Sequence, residues 1–237
     1  LEVRRAMQLA MDRQGMIDTV YNGFGTPACG PLTSVVFCYD ASLCSMYPTN
    51  LDEANQVLED AGWVDTDGDG IREKEGQPLV IGHYYRADAG NSNAEAAFLK
   101  DNMAKIGMDV ELNGLSRSGY FDAVRSGQHN TQGWWDTGTD PDMVRTFFHS
   151  SNAGGGTNRN NYINADMDRM IDEAAAEPDP AARCELYSEI QKKVKDEAIM
   201  EFWADPVILY AHSGKLSDVV YYLGGNTPYF YTAKIAE

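Results

Sequence analysis

Residues 79–135 impose the strongest constraint, because strand-like and helix-like runs alternate there with a stop after each. LVIGHYY at 79–85 is β-branched and aromatic, residues 93–106 carry apolar side chains at helical spacing up to Gly107, and 108–112 is again strand-like. Residues 120–126 then fit a helix and 131–135 a third strand. Such alternation predicts an α/β fold, a sheet covered by helices, whose ligands sit beyond the carboxyl ends of the strands.

The flanks add helices. Val3, Ala6, Met7, Ala10, Ile17 and Val20 predict one helix over 3–21, stopped by Gly23 and Gly25. Residues 25–50 are rich in Gly, Pro, Ser and Cys and read as an irregular connection. Asn50 caps a short helix that ends at Gly62, and MVRTFFH at 143–149 is another, followed by a flexible loop at 150–161. Helices are expected at 165–176 and at 180–196, the second with Asp179 as cap and Pro180 in its first turn. Late strands are expected at 199–203 and 207–211, and the aromatic tail (Tyr221, Tyr222, Tyr229, Phe230, Tyr231) is expected to pack on the core. No repeat of 20–50 residues is present, so residues 1–237 read as a single α/β domain.

With 43% hydrophobic residues the chain can build a sizeable core. Nineteen Lys and Arg against 36 Asp and Glu give a net charge of -17, which repels polyphosphate, so no nucleic-acid partner is expected. No apolar run approaches the roughly 18 residues of a spanning helix. The sequence opens without Met and already inside a helical pattern, as a mature or excised piece does, with any targeting segment upstream. Cys29, Cys38, Cys44 and Cys184 form no C-x-x-C pair and have no clustered His, which argues against zinc. They allow three disulfide pairings, with at least one local bridge expected in an oxidising compartment; buried free thiols are the alternative.

No G-x-S-x-G or H-E-x-x-H occurs, and His83, His129, His149 and His212 lie far apart in sequence. GFGTPA at 23–28 matches a dinucleotide fingerprint only superficially, since it follows a helix rather than a strand. Asp65, Asp67 and Asp69 before Gly70 copy the opening of a calcium loop, but the twelfth place holds Gly76 instead of Glu, with Glu73 and Glu75 at the ninth and eleventh. The segment is either a structural calcium site or a solvated hairpin turn, and no other cofactor is expected.

Trp134 and Trp135 end the third strand on opposite faces, which leaves one indole to meet a ligand. Asp136, Thr137, Thr139, Asp140 and Asp142 follow at the carboxyl end of that strand, although Asp140-Pro141-Asp142 also suits a helix cap. Arg86, at the end of the first strand, is placed to hold a carboxylate by two parallel hydrogen bonds or to sit solvated on the surface.

Five segments occur in one order: VRRAMQLAMDRQGMIDTVYNGFGTPA, LDEANQVLEDAGWVDTDGDGIREKEGQPL, FLKDNMAKIGMDVEL, GWW followed by TDPDM and FFHS, and RCELYSEIQKKVKDEA. Over about residues 3–210 they resemble the ABC-transporter solute-binding proteins of the oligopeptide/dipeptide/nickel type, family 5. The resemblance implies a type II, cluster C periplasmic-binding-protein-like fold, with a mixed sheet flanked by helices. Members are about twice this length and close two lobes on a ligand, so the chain reads as the second lobe alone, with the first lobe and signal segment absent. It further implies a monomeric, non-enzymatic binder, periplasmic or anchored at the cell surface, that hands a small solute, a peptide first, to an ABC permease.

In dipeptide-binding members an Arg after the lobe's first strand pairs the ligand carboxylate, and Arg86 matches it. The Asp that holds the ligand amine falls on Thr137 when Gly133-Trp134 and Asp140-Pro141 are aligned, with Asp136 one residue earlier. A neutral Thr supplies no charge-assisted bond. Either Asp136 turns in, or the ligand is not a peptide amine, since the family also takes sugars, nickel complexes and opines. Two competing readings are a hydrolase using Asp136, Asp140 or Asp142 as paired carboxylates and a calcium-stabilised interaction module at 65–75.

Overall fold

The computed structural model describes residues 1–134, 138–222 and 228–236. The single helix expected at the start is two, α1 (Glu2–Ala10) and α2 (Arg13–Thr19). Met11 is extended, and the Asp12 carboxylate accepts the Gly15 N–H at 2.9 Å, so a cap inside the apolar periodicity starts a new helix. Next come β1 (Gly25–Pro27), a 3-10 turn (Ala41–Ser45) and α3 (Leu51–Asp60), capped by Asn50 as expected. A small hairpin, β2 (Glu73–Lys74) with β3 (Gln77–Pro78), precedes the expected alternation: β4 (Val80–Arg86), α4 (Ser92–Ala104), β5 (Asp109–Leu115), α5 (Arg117–Arg125) and β6 (Thr131–Gln132). Gly107, at φ +71°, makes the left-handed turn that ends the α4 segment. Then follow α6 (Met143–Phe148), α7 (Ala165–Ala176), α8 (Pro180–Asp196), β7 (Ala204–Pro206), β8 (Leu216–Ser217) and β9 (Lys234–Ile235).

The expected helix-flanked sheet is present; its three strands run parallel in the order β5-β4-β6, and antiparallel pairing is confined to short separate ladders. The chain leaves β4 for β5 on one side and then crosses to β6 on the other. With right-handed crossovers, α4 and α5 therefore cover opposite faces.

Two expectations fail near the carboxyl end. Neither 199–203 nor 207–211 is a strand; the strand is β7 between them, paired with β1 as Gly25↔Pro206, Thr26↔Asp205 and Pro27↔Ala204. Pro27 and Pro206, which cannot donate to a ladder, bound this pairing. The tail does not pack on the core either: Tyr221, Tyr222, Tyr229 and Phe230 are about half exposed and Tyr231 is 81% exposed, with rings such as Tyr222 and Tyr229 contacting one another. Among the described residues its ladder is β8–β9, extended by the Val220↔Tyr229 bridge, and neither apolar cluster includes these rings.

One cluster gathers α1, α3, α4 and β5 around Leu9, Leu58, Leu99 and Met103; the other gathers α6, α7 and α8 around Phe148, Ile171 and Tyr187. All four cysteines are paired, Cys29 with Cys44 locally and Cys38 with Cys184 across 146 residues. By chain entropy the long-range bridge stabilises by about 5 kcal/mol and the local one by about 3. Among the described residues no helix is long and apolar enough to cross a membrane.

A buried and a half-buried group in the strands titrate in opposite senses. His83 in β4 is 1% exposed, lies 2.9 Å from Thr131 Oγ1 through Nδ1, and is pushed by burial from 6.5 down to about 4. Asp205 in β7 is pushed by burial from 3.8 up to about 6. From 6.5 down to about 4 the unfolded chain carries a proton on His83 that the folded chain lacks, so acid destabilises. From about 6 down to 3.8 the folded chain carries the extra proton on Asp205, so acid stabilises. The substitution Asp205→Asn leaves His83 unopposed. Its melting temperature should fall more steeply than wild type between about pH 6 and 4, with a linkage slope larger by up to about one proton. Parallel pH profiles in thermal denaturation would contradict this.

Candidate functional site

The parallel register sets the site. His83 pairs with Thr131, Tyr84 with Gln132, and the Gly133 N–H donates to the Tyr84 carbonyl at 2.9 Å. Arg86 and Trp134 each stand three residues beyond the His83–Thr131 pair, so both leave the sheet at the same level. The chain leaves β4 for β5 and returns past it to β6, so the neighbouring carboxyl ends of β4 and β6 form the kind of crevice in which open α/β sheets bind ligands.

From α5, Tyr120 closes the floor of this crevice. It is 1% exposed, and its hydroxyl lies 2.8 Å from Gln132 Oε1 and 2.7 Å from the Gly133 carbonyl. Burial pushes the phenol pKa up, while the neighbouring charges of Arg159 and Arg86 pull it down. Arg86 donates through Nε to Asp88 Oδ1 at 3.1 Å and is about one-third exposed. That bond holds the Asp88 carboxyl below its usual range and uses the inner nitrogen, not the terminal pair that grips a carboxylate.

Trp134 is 40% exposed, with Phe121 edge-on at 6.3 Å between centroids. The Arg159 guanidinium sits 3.5 Å from the indole centroid and 5.2 Å from that of Phe121, within cation–π range of both. The cavity beside the stack, lined by Gln132, Phe147, Thr157 and Met200, is about 10 Å³, room for one water. A ligand therefore meets the indole from its exposed side.

Arg159 comes from the loop expected to be flexible. Asn158, fully buried, orders it: Nδ2 donates to the carbonyls of Tyr162 (2.7 Å) and His149 (3.2 Å), and Oδ1 accepts the Tyr162 N–H at 3.2 Å. Arg159, Phe121 and Tyr120 were not legible as site residues, because only the folded loop and α5 bring them to the strand ends. The run NRNNYIN, dense in side chains that bond the backbone, was the available signal that this loop is built.

Of the residues singled out in sequence, Arg86 and Trp134 stand at the same level of neighbouring strands, and Trp135, Asp136 and Thr137 lie outside the described residues. Asp140 faces elsewhere: Oδ1 accepts from Arg183 at 3.1 Å and from the Asp142 N–H at 2.8 Å. Asp142 accepts from Arg145 and from the Tyr187 hydroxyl, each at 3.0 Å. The turn at 140–142 thus opens α6 and ties it to α8.

In the acidic turn Asp65, Asp67, Asp69 and Glu73 each bring one carboxylate oxygen within 4.8 Å of the others. Asp65 accepts the N–H groups of Gly68 and Gly70, Asp67 that of Asp69, and Asp69 that of Ile71. Glu73 enters through the Val64↔Glu73 bridge and accepts from Thr66. The set consists of hard oxygen donors, the type calcium takes.

The family model for bacterial extracellular solute-binding proteins, family 5 Middle, matches residues 1–156. Protein XP55 of Streptomyces lividans is 29% identical over 229 residues, covering 95% of this chain and 41% of that protein. The oligopeptide-binding protein AppA of Bacillus subtilis is 28% identical over 207 residues, covering 83% and 37%. The structure of that AppA in complex with a nonapeptide matches the fold with a TM-score of 0.84, at 23% identity, over 100% of this chain and 47% of that one. The chain spans about two-fifths of the length of the curated relatives it matches. With its helix-flanked parallel sheet and its family match over residues 1–156, the chain belongs to the bacterial extracellular solute-binding proteins of family 5.

Proposed function

We propose that the chain is one lobe of a two-lobed, monomeric, extracytoplasmic solute-binding protein that captures a peptide and hands it to an ABC permease. The observation that carries this reading is that Arg86 and Trp134 stand at the same level beyond the neighbouring strands β4 and β6. The fork of Arg86 takes the ligand's carboxylate, the exposed side of Trp134 forms an apolar wall, and Asp136, beside Thr137, takes the ammonium end. The β1–β7 ladder, where the early and late parts of the chain cross, serves as the hinge for closure.

Three features support the reading. The chain's relatives include a protein named for oligopeptide binding. All four cysteines are in disulfides, which suits an oxidising compartment outside the cytoplasm, in the periplasm or at the cell surface. Val207, Ile208 and Leu209 are 56%, 44% and 64% exposed, and together with the tail rings they make an apolar surface for the rest of a longer protein to bury. Binding is favoured over hydrolysis because Asp140 and Asp142 are each engaged by an arginine rather than left as a working acid–base pair.

A structural calcium ion on Asp65, Asp67, Asp69 and Glu73 belongs to the same reading. Calcium added to the chelator-treated protein should raise stability by about 2.7 kcal/mol at a hundredfold excess over Kd. Asp67→Asn should abolish that rise, and an unchanged melting temperature with calcium removes the ion from the account. For the ligand, calorimetric titration of the intact protein with tri-L-alanine should weaken by about tenfold to a hundredfold in Arg86→Met, the worth of a charge-assisted contact. Equal affinities would remove Arg86 from the site.

A further inference from the structure

We infer that Arg159 is a positioning residue for the ligand wall: its guanidinium seals one face of the Trp134 indole, so that the ring offers a ligand only its other face and there favours an apolar group over a cationic one. This rests on the peptide-binding reading above and names which peptide side chains the wall accepts.

Three elements build the stack. The indole comes from the strand end, Phe121 from α5 and the guanidinium from the 150–161 loop. The guanidinium lies 3.5 Å from the Trp134 centroid and 5.2 Å from that of Phe121, and Phe121 meets the indole edge-on at 6.3 Å, so two rings hold one cation. Arg159 is half-buried, and the cavity left beside it, about 10 Å³ among Gln132, Phe147, Thr157 and Met200, has room for a water and not for a ligand group. The loop is fixed as well: the Arg159 N–H donates to the Thr157 carbonyl at 2.9 Å, and fully buried Asn158 binds the carbonyls of Tyr162 and His149. On α5, Tyr120 beside Phe121 is held by its hydroxyl on Gln132 and Gly133. The indole keeps 40% of its surface exposed, so a ligand reaches it from the side that Arg159 leaves open. A ring held in place before the ligand arrives spares the cost of ordering it on binding.

The selectivity follows. An indole attracts cations through the negative charge over its faces, and a cation seated on one face draws on that charge and repels a second cation across the ring. A lysine side chain of a ligand therefore gains little at the open face, whereas a leucine or phenylalanine side chain keeps the full gain of burial against the indole. The net charge of -17 draws cationic peptides to the protein as a whole, and Arg159 is the local feature that turns this wall against them.

The test is NMR of the intact protein labelled with ¹⁵N at the tryptophan indoles, with the Trp134 signal assigned through Trp134→Phe. The probes are two tripeptides, alanyl-phenylalanyl-alanine and alanyl-lysyl-alanine. In wild type both should shift the Trp134 signal, and the phenylalanyl peptide should bind at least about threefold more tightly. Arg159→Met should cut that ratio by about two- to fivefold, the worth of one cation–π contact. Arg159→Lys, which returns a cation to the ring, should retain most of it. Arg169→Met, which removes an exposed arginine of α7 paired with Glu173, should leave it unchanged and so separates the stack from overall charge. Thermal melts check folding, with Arg159→Gln used if Arg159→Met does not fold. A ratio unchanged in Arg159→Met, or altered as much in Arg159→Lys or Arg169→Met, overturns the inference and leaves the peptide reading standing. No shift of the Trp134 signal with either peptide in wild type overturns both.

Discussion

The structure depends on the junction between the first two helices and the end of α8. The two apolar clusters lie on either side of this junction, and polar contacts join them. Arg4 donates to the Ala198 and Glu197 carbonyls and Arg5 to that of Asp196, satisfying groups at the carboxyl end of α8 that have no partner within the helix. Gln8 donates to the Lys195 carbonyl, and Lys195, itself buried, donates to the carbonyls of Leu43 and Met46. Arg13 forms an ion pair with Glu201 and also donates to the Phe202 carbonyl. Burial pushes the Glu201 carboxyl up and the Lys195 ammonium down to about 8, so both charges depend on this setting. Breaking one such buried pair costs about 3–5 kcal/mol.

That junction also makes the site. Trp134 continues a strand of the sheet, whereas Arg159 sits on a loop anchored to Tyr162, which packs against the α6–α8 cluster. The two meet at 3.5 Å from guanidinium to indole centroid. The Cys38–Cys184 bridge and the Gln191 bond to the Cys38 carbonyl fasten the 25–50 segment onto α8 in the same assembly. The elements that give the fold its stability are thus also those that bring Arg159 to Trp134.

The sequence was most legible where the determining chemistry is local. Asp179 with Pro180 marked the start of α8, and Gly107 the stop before β5, because a cap or a left-handed turn is written in a few adjacent residues. Arg86 and Trp134 were legible as strand-end residues because strand ends follow from the alternation itself. The break at Asp12 was hidden inside an unbroken apolar periodicity. β7 was hidden because three residues have no period, and its partner at 25–27 is nearly 180 residues away. The same distance in sequence concealed Arg159: nothing around it says which ring it will cover. The cysteines left three pairings open for the same reason.

The central claim is the proposal that this chain helps hold a peptide by its carboxyl end. The most direct measurement is native mass spectrometry of the intact protein purified from its own host, followed by denaturation to release and identify whatever it retained. The account predicts a peptide with a free carboxyl terminus. A released sugar or metal complex would keep the family and contradict the assignment of the ligand.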